Sequence, residues 1–144
     1  MIKIICVGKI KENYLKEAVK DYMTRLSKYT NFKIIEINDS NIKEEAVKIL
    51  ANIKKEYVIS LDIEGNLIDS KALSKMISNL FLNSISNITF VIGSSNGLDE
   101  MVKKRSNYSL SLSKMTFPYQ LFRVILLEQI YRCFKIINNE AYHK

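Results

Sequence analysis

Chemistry that needs several histidines, paired cysteines or repeated glycines has little to work with in this chain. Its 144 residues include one histidine, two cysteines, one proline, four glycines and no tryptophan. Cys6 and Cys133 lie far apart and form no C-x-x-C pair, which argues against a zinc site and a disulfide framework. Both fall in apolar runs and read as small core residues of a reducing compartment. The few glycines make neither G-x-G-x-x-G nor a G-K-[ST] loop, so the dinucleotide fingerprint and the phosphate loop are missing. No apolar run reaches the roughly 20 residues of a membrane span. Met1 to Gly8 is an apolar run followed by Lys9 and Lys11, without the basic start and small-residue cleavage site of a secretory signal. The expectation is a cytoplasmic protein with no metal and no membrane partner.

Apolar residues make up 47% of the chain and charged residues 26%, an ordinary globular mix. The length suits one domain that buries its own core. The net charge of +7 is unevenly placed. Residues 1–100 hold 14 Lys and Arg against 13 Asp and Glu, whereas residues 101–144 hold 8 against 2. A basic last third fits a polyanionic partner, because each neutralised phosphate releases counterions. A merely soluble basic surface fits these numbers equally well.

Short apolar runs alternate with amphipathic segments from end to end. Strands are expected at Ile2–Val7, Phe32–Ile37, Tyr57–Ile63, Ile88–Ile92 and Tyr108–Leu112. Helices are expected at Asn13–Tyr29, Asn41–Lys55, Ser70–Asn83 and Leu98–Arg105, with a long last helix over about 119–138. Glu64-Gly65-Asn66 reads as the turn that ends the third strand. Pro118 suits the first turn of the last helix, and Thr116 or a neighbour is placed to cap it. The alternation points to a single α/β domain whose mostly parallel sheet is covered by helices on both faces. The last helix is apolar on more than one side, from Leu121 to Ile137. That surplus points to a two-fold dimer, with deeper burial inside one chain as the alternative.

Three places carry candidate chemistry. Gly93-Ser94-Ser95-Asn96-Gly97 follows a strand, where α/β sheets bind ligands and where glycine lets backbone come close; a plain tight turn needs the same residues. Ser113-Lys114-Met115-Thr116-Phe117-Pro118 links the fifth strand to the last helix on the same edge. Arg123, Arg132 and Lys135 lie on that apolar helix, either snorkelling at the rim of the core or facing nucleic acid. His143 is the side chain best suited to proton exchange near pH 7, yet its place one residue from the end reads as a frayed tail.

Taken in register, these segments resemble one family. Val91-Ile92-Gly93-x-Ser95-Asn96-Gly97-Leu98, Arg105-Ser106-Asn107-Tyr108, Ser113 through Pro118, Arg123-Val124, Glu128-Gln129-x-Tyr131-Arg132 and Ala141-Tyr142-His143-Lys144 are similar to the ribosomal large subunit methyltransferase H family. Val7-Gly8-Lys9 and Leu61-Asp62-x-x-Gly65 share the likeness, which covers the whole chain. The resemblance implies a SPOUT fold with a C-terminal trefoil knot. It implies a homodimer that uses S-adenosyl-L-methionine to methylate N3 of a pseudouridine in large-subunit (23S) ribosomal RNA of the assembled ribosome. It places the cofactor against Leu61, Gly93, Leu112, Ser113, Lys114, Met115, Thr116 and Phe117, and makes Arg123, Tyr142 and His143 the residues that bind or activate the target base. Other readings are a SPOUT methyltransferase with another RNA target, a non-catalytic ribosome-binding protein of this fold, and an α/β nucleotide-binding protein. The chain departs from the family at Ser94, where a second glycine is usual, and at Tyr119, where a histidine is common. It is also shorter than many members, around residues 38–42.

Overall fold

The computed structural model describes residues 1–144. Strands and helices alternate as β1 (Ile2–Val7), α1 (Asn13–Leu26), β2 (Phe32–Ile37), α2 (Ile42–Ala51), β3 (Tyr57–Leu67), α3 (Ser70–Leu82), β4 (Ile88–Ile92), α4 (Glu100–Arg105), β5 (Tyr108–Ser111) and α5 (Tyr119–Ile137). The five strands form one sheet in the order β2-β1-β4-β3-β5, and every neighbouring pair is parallel. β4 is buried at all of its five positions, as a central parallel strand covered on both faces should be.

Alternate residues of the strands feed two cores. Ile4, Cys6, Ile59, Phe90 and Leu110 point to the face covered by α1, α3 and α5. Ile5, Val7, Val58 and Val91 point to the face covered by α2 and α4. The β1–β2 and β3–β4 connections run one way across the sheet over the first face. The β2–β3 and β4–β5 connections run the other way over the second. All four crossovers therefore share one hand, as parallel βαβ units require.

The helices start where short polar side chains can hold free amides. Asn41 accepts from Glu44 N–H at 2.9 Å, Asp69 from Ala72 at 2.8 Å and Asp99 from Met101 at 2.9 Å. α1 stops at Leu26, before the expected Tyr29, because Ser27–Thr30 tighten into turns. α2 ends at Ala51, where Asn52 folds its amide back onto Lys48 O. α1 and α5 differ: their N-caps are Glu12 and Pro118, and no side chain caps either, Thr116 included.

α5 lies between α1 and α3. Leu126, Leu127, Ile130 and Cys133 are fully buried there, and Phe134 stacks on Tyr29 at 5.6 Å. Each such aliphatic side chain contributes about 2 kcal/mol by burial. Much of the helix's apolar surplus is thus absorbed within one chain. Leu121, 38% exposed, and the half-buried Val124 and Ile125 remain open on its outer side. No helix is long and apolar enough to cross a membrane.

Candidate active site

The strands β3, β4 and β5 end around a cavity of about 310 Å³. Its walls come from three chain segments and the first turn of α5. Of the eight residues assigned to cofactor binding by resemblance, Leu61, Gly93, Leu112, Ser113, Met115, Thr116 and Phe117 line the cavity, and Lys114 does not.

The first segment is the end of β3. The expected turn at Glu64-Gly65-Asn66 is instead part of the strand, which pairs with β5 on both sides of a bulge. Leu110 of β5 faces both Leu61 and Asn66, so residues 62–65 are pushed out of the ladder. Gly65 is needed for close approach: a Cβ there would lie 2.9 Å from the Ser109 carbonyl. The bulge brings Asp62 and Ile63 to the rim of the cavity. Asp62 is tied to Lys103 of α4 at 3.2 Å.

The second segment is the loop after β4. A Cβ on Gly93 would come within 2.5 Å of the Gly97 carbonyl oxygen. Glycine is therefore required first for the loop to close on itself. The Ser94 carbonyl accepts from Gly97 N–H at 2.9 Å. The Ser94 hydroxyl bonds to Glu45, a carboxylate that does not line the cavity, at 3.1 Å. The departure from glycine at this position thus adds a tether on the far side of the loop.

The third segment, 112–118, returns from the sheet edge to α5. Ser111 Oγ donates to Ser113 O at 3.1 Å, and Ser113 Oγ accepts from Met115 N–H at 3.0 Å. Tyr119 and Phe122, the latter stacked with Phe117, complete the wall. Tyr119 packs on Gly8, where a Cβ would meet its ring at 2.7 Å and φ is +91°.

Arg123 is 2% exposed and does not face solvent. Its guanidinium donates to Glu36 at 2.7 Å and to the Gly8 carbonyl at 2.9 Å. It fastens the start of α5 to the ends of β1 and β2, which sets where Tyr119 and Phe122 stand.

The C-terminal tail is docked. Tyr142 lies edge-on to Tyr131 with ring centroids 5.1 Å apart, donates to Glu128 at 3.2 Å and sits under the Arg132 guanidinium. His143 Nδ1 lies 3.2 Å from Arg132 Nη1. Arginine has no acceptor, so this nitrogen accepts, and a neutral ring then carries its proton on Nε2. Burial, then the Glu128 carboxylate, hold the Tyr142 phenol above its ordinary value. The His143 Nδ1 is thus taken up by Arg132 and the Tyr142 O–H by Glu128. Both tail side chains dock on the Glu128–Arg132 stretch, about 14 to 20 Å along α5 from Tyr119. One chain does not bring its own tail to its own cavity.

Burial pushes the Cys6 thiol up to about 12 and Cys133 to about 11, the state of inert core residues. No group of three or more His, Cys, Asp or Glu side chains is placed to hold a metal. Sequence reasoning missed Asp62, Ile92 and Leu110, which the rule that ligands sit at strand ends could have found. It also missed the tether at Glu45, for which helical periodicity gives no signal.

The family model described as "Predicted SPOUT methyltransferase" matches residues 1–143. The chain is 52% identical over 157 aligned positions to the "Ribosomal RNA large subunit methyltransferase H" of Clostridium botulinum (strain Alaska E43 / Type E3), covering 99% of each. It is 50% identical to the protein of that name from Clostridium novyi (strain NT), again over 99% of each. A solved structure described as a probable methylase family protein from Haemophilus influenzae Rd KW20 shares the fold at a TM-score of 0.60 and 11% identity, over 99% of this chain and 70% of that one.

Proposed function

The chain belongs to the SPOUT methyltransferases, in the ribosomal RNA large subunit methyltransferase H family, and on that premise we propose that it methylates N3 of a pseudouridine in 23S ribosomal RNA. It acts as a cytoplasmic homodimer on the assembled ribosome, with S-adenosylmethionine as donor and with the family's trefoil knot at its C-terminal end. The observation that carries this reading is the cavity of about 310 Å³ at the strand ends, lined by the family-matched segments.

The lining fits the donor. Leu61, Ile92, Leu110 and Leu112 supply apolar walls, and the tight turns at Gly93–Gly97 and Ser113–Phe117 supply backbone donors and acceptors for an adenine edge. When bound, S-adenosylmethionine supplies an electrophilic methyl on a sulfonium, a chemistry that needs no metal. The pseudouridine N3 must lose its proton to become a nucleophile. His143 presents an N–H, which suits it to bind a carbonyl of the base, while Tyr142, its O–H given to Glu128, offers its ring and an oxygen lone pair to orient the base. Proton removal then falls to water. Arg123 acts as a positioning residue, through the walls of the cavity.

The distance between tail and cavity supports the dimer. A second copy packed antiparallel across the open Leu121–Ile125 stripe would bring its tail toward this cavity. Each site would then take its donor pocket from one subunit and its base-binding tail from the other.

The test is methyl transfer from labelled S-adenosylmethionine to ribosomes lacking the mark, with the modified nucleotide mapped, for the full chain and for one lacking 142–144. The full chain should label a single pseudouridine, and the shortened chain should fold and bind donor but transfer nothing. Label at another nucleotide means another RNA target. Absence of label with the donor bound means a ribosome-binding protein that has lost its chemistry. Full activity without 142–144 removes Tyr142 and His143 from the site.

A further inference from the structure

Glu45 is the one buried acidic side chain of the protein, 2% exposed, on the sheet face opposite α5. It forms no ion pair. A carboxylate held in the interior by neutral partners alone is costly, so its position calls for a reason. Its two oxygens do different work. Oε2 accepts from Ser40 N–H at 3.2 Å, an ordinary way to finish the start of a helix. Oε1 accepts from the Ser94 hydroxyl at 3.1 Å, a contact between residues 49 apart in sequence.

Ser94 is the hub of the loop that walls the cavity. Its hydroxyl oxygen also accepts from Asn96 N–H at 3.3 Å, and its carbonyl holds Gly97 N–H at 2.9 Å. Gly93 has no space toward the Gly97 carbonyl. A shift of Ser94 is therefore passed to the cavity wall and not absorbed by slack.

We propose that Glu45 is a positioning residue for the methyl-donor cavity, acting through Ser94 to hold the 93–97 turn closed. The assignment rests on the donor occupying this cavity. A merely structural Glu45 would affect stability alone, whereas a positioning Glu45 affects the loop and the ligand.

The experiment compares E45A, E45Q, S94A and the double variant by amide hydrogen exchange and by calorimetric titration with S-adenosylmethionine. In E45A the amides of Asn96 and Gly97 should exchange at least about tenfold faster, with those of Ile88–Ile92 unchanged. Donor affinity should fall about tenfold. S94A removes the partner of Oε1 together with the acceptor of Asn96 N–H, so it is compared with E45A at Gly97, where the two should match and the double variant should add nothing further. E45Q keeps an acceptor oxygen and should fall between E45A and the parent. If E45A fails to fold, S94A carries the comparison alone. Unchanged exchange at Gly97 in S94A, or effects of the two substitutions at Gly97 that add, overturns the proposal. A parent chain that does not bind S-adenosylmethionine removes the cofactor reading, while the exchange data still decide whether Glu45 holds the loop.

Discussion

Where the strands begin, the sheet is closed by charge and backbone. Lys3 pairs with Glu56 at 2.5 Å, Thr89 donates to the same carboxylate at 3.2 Å, and Arg105 donates to the carbonyls of Lys54 and Glu56 at 2.8 and 3.1 Å. Asn107 both donates to and accepts from Val58 at 2.8 Å. Where the strands finish, the ladder is interrupted by a bulge, a helix starts without a side-chain cap, and Met115 stands 76% exposed beside a cavity. One end satisfies its polar groups internally and the other leaves surface for a ligand. Substitutions at the first end should cost stability and spare donor binding, and those at the second should do the reverse.

Arg123 is where that comparison is most open to failure, because it is a buried charge at the ligand end. Removing one partner of a buried pair strands the other and typically costs about 3 kcal/mol or more. Arg123→Met should lower unfolding stability by about 3 kcal/mol in urea, and by less if solvent reaches Glu36, whose side chain is 38% exposed. Donor affinity should fall with it, since Tyr119 and Phe122 lose their anchor. A variant as stable as the parent but unable to transfer methyl would mean that Arg123 touches the RNA and that this structure shows it in a resting position.

The element order and the two-faced parallel sheet were legible in the sequence because burial on both faces leaves continuous apolar runs, as in Phe90-Val91-Ile92. The cavity was legible only in part. Gly93 and Leu112 to Phe117 could be named from the family likeness, since loops after parallel strands carry function. The bulge was not, because Glu64-Gly65-Asn66 has turn composition and only the neighbouring Ser109 backbone shows why glycine stands there. The tail was misread from position alone: His143 looks frayed until Glu128 and Arg132, which lie on a distant turn of α5, are seen to hold it. Contacts between residues far apart in sequence leave no local periodicity to read.

At the other end, Glu56 should behave as a stability group and nothing more. Desolvation pulls its carboxyl up, but the Lys3 ammonium and the amides of Glu56 and Lys54 outweigh it and hold the group at about 2, below the usual 4.5. The folded state therefore binds fewer protons than the unfolded chain between pH 4.5 and 2. The stabilisation is full above that window and is lost as pH falls through it. Glu56→Gln should cost about 1 to 2 kcal/mol at pH 7 and flatten the acid limb of a plot of Tm against pH. Donor affinity should not change. A loss of affinity in this variant would show that the two ends are coupled through the sheet.

The smallest effect belongs to Lys103, which joins α4 to the bulge. Its pair with Asp62 is half in solvent, with side chains 36% and 19% exposed, and such pairs contribute at most about 1 kcal/mol. Lys103→Ala should therefore leave stability within about 0.5 kcal/mol of the parent. Asp62 lines the cavity, however, so freeing it should show in the ligand before it shows in the fold. The expected result is an affinity for S-adenosylmethionine lowered by about two- to threefold at low salt, with parent and variant converging as salt screens the pair. The reverse pattern, lower stability with unchanged affinity, would place the bulge among the closed, load-carrying parts of the molecule and move the boundary between the two ends to the rim of the cavity itself.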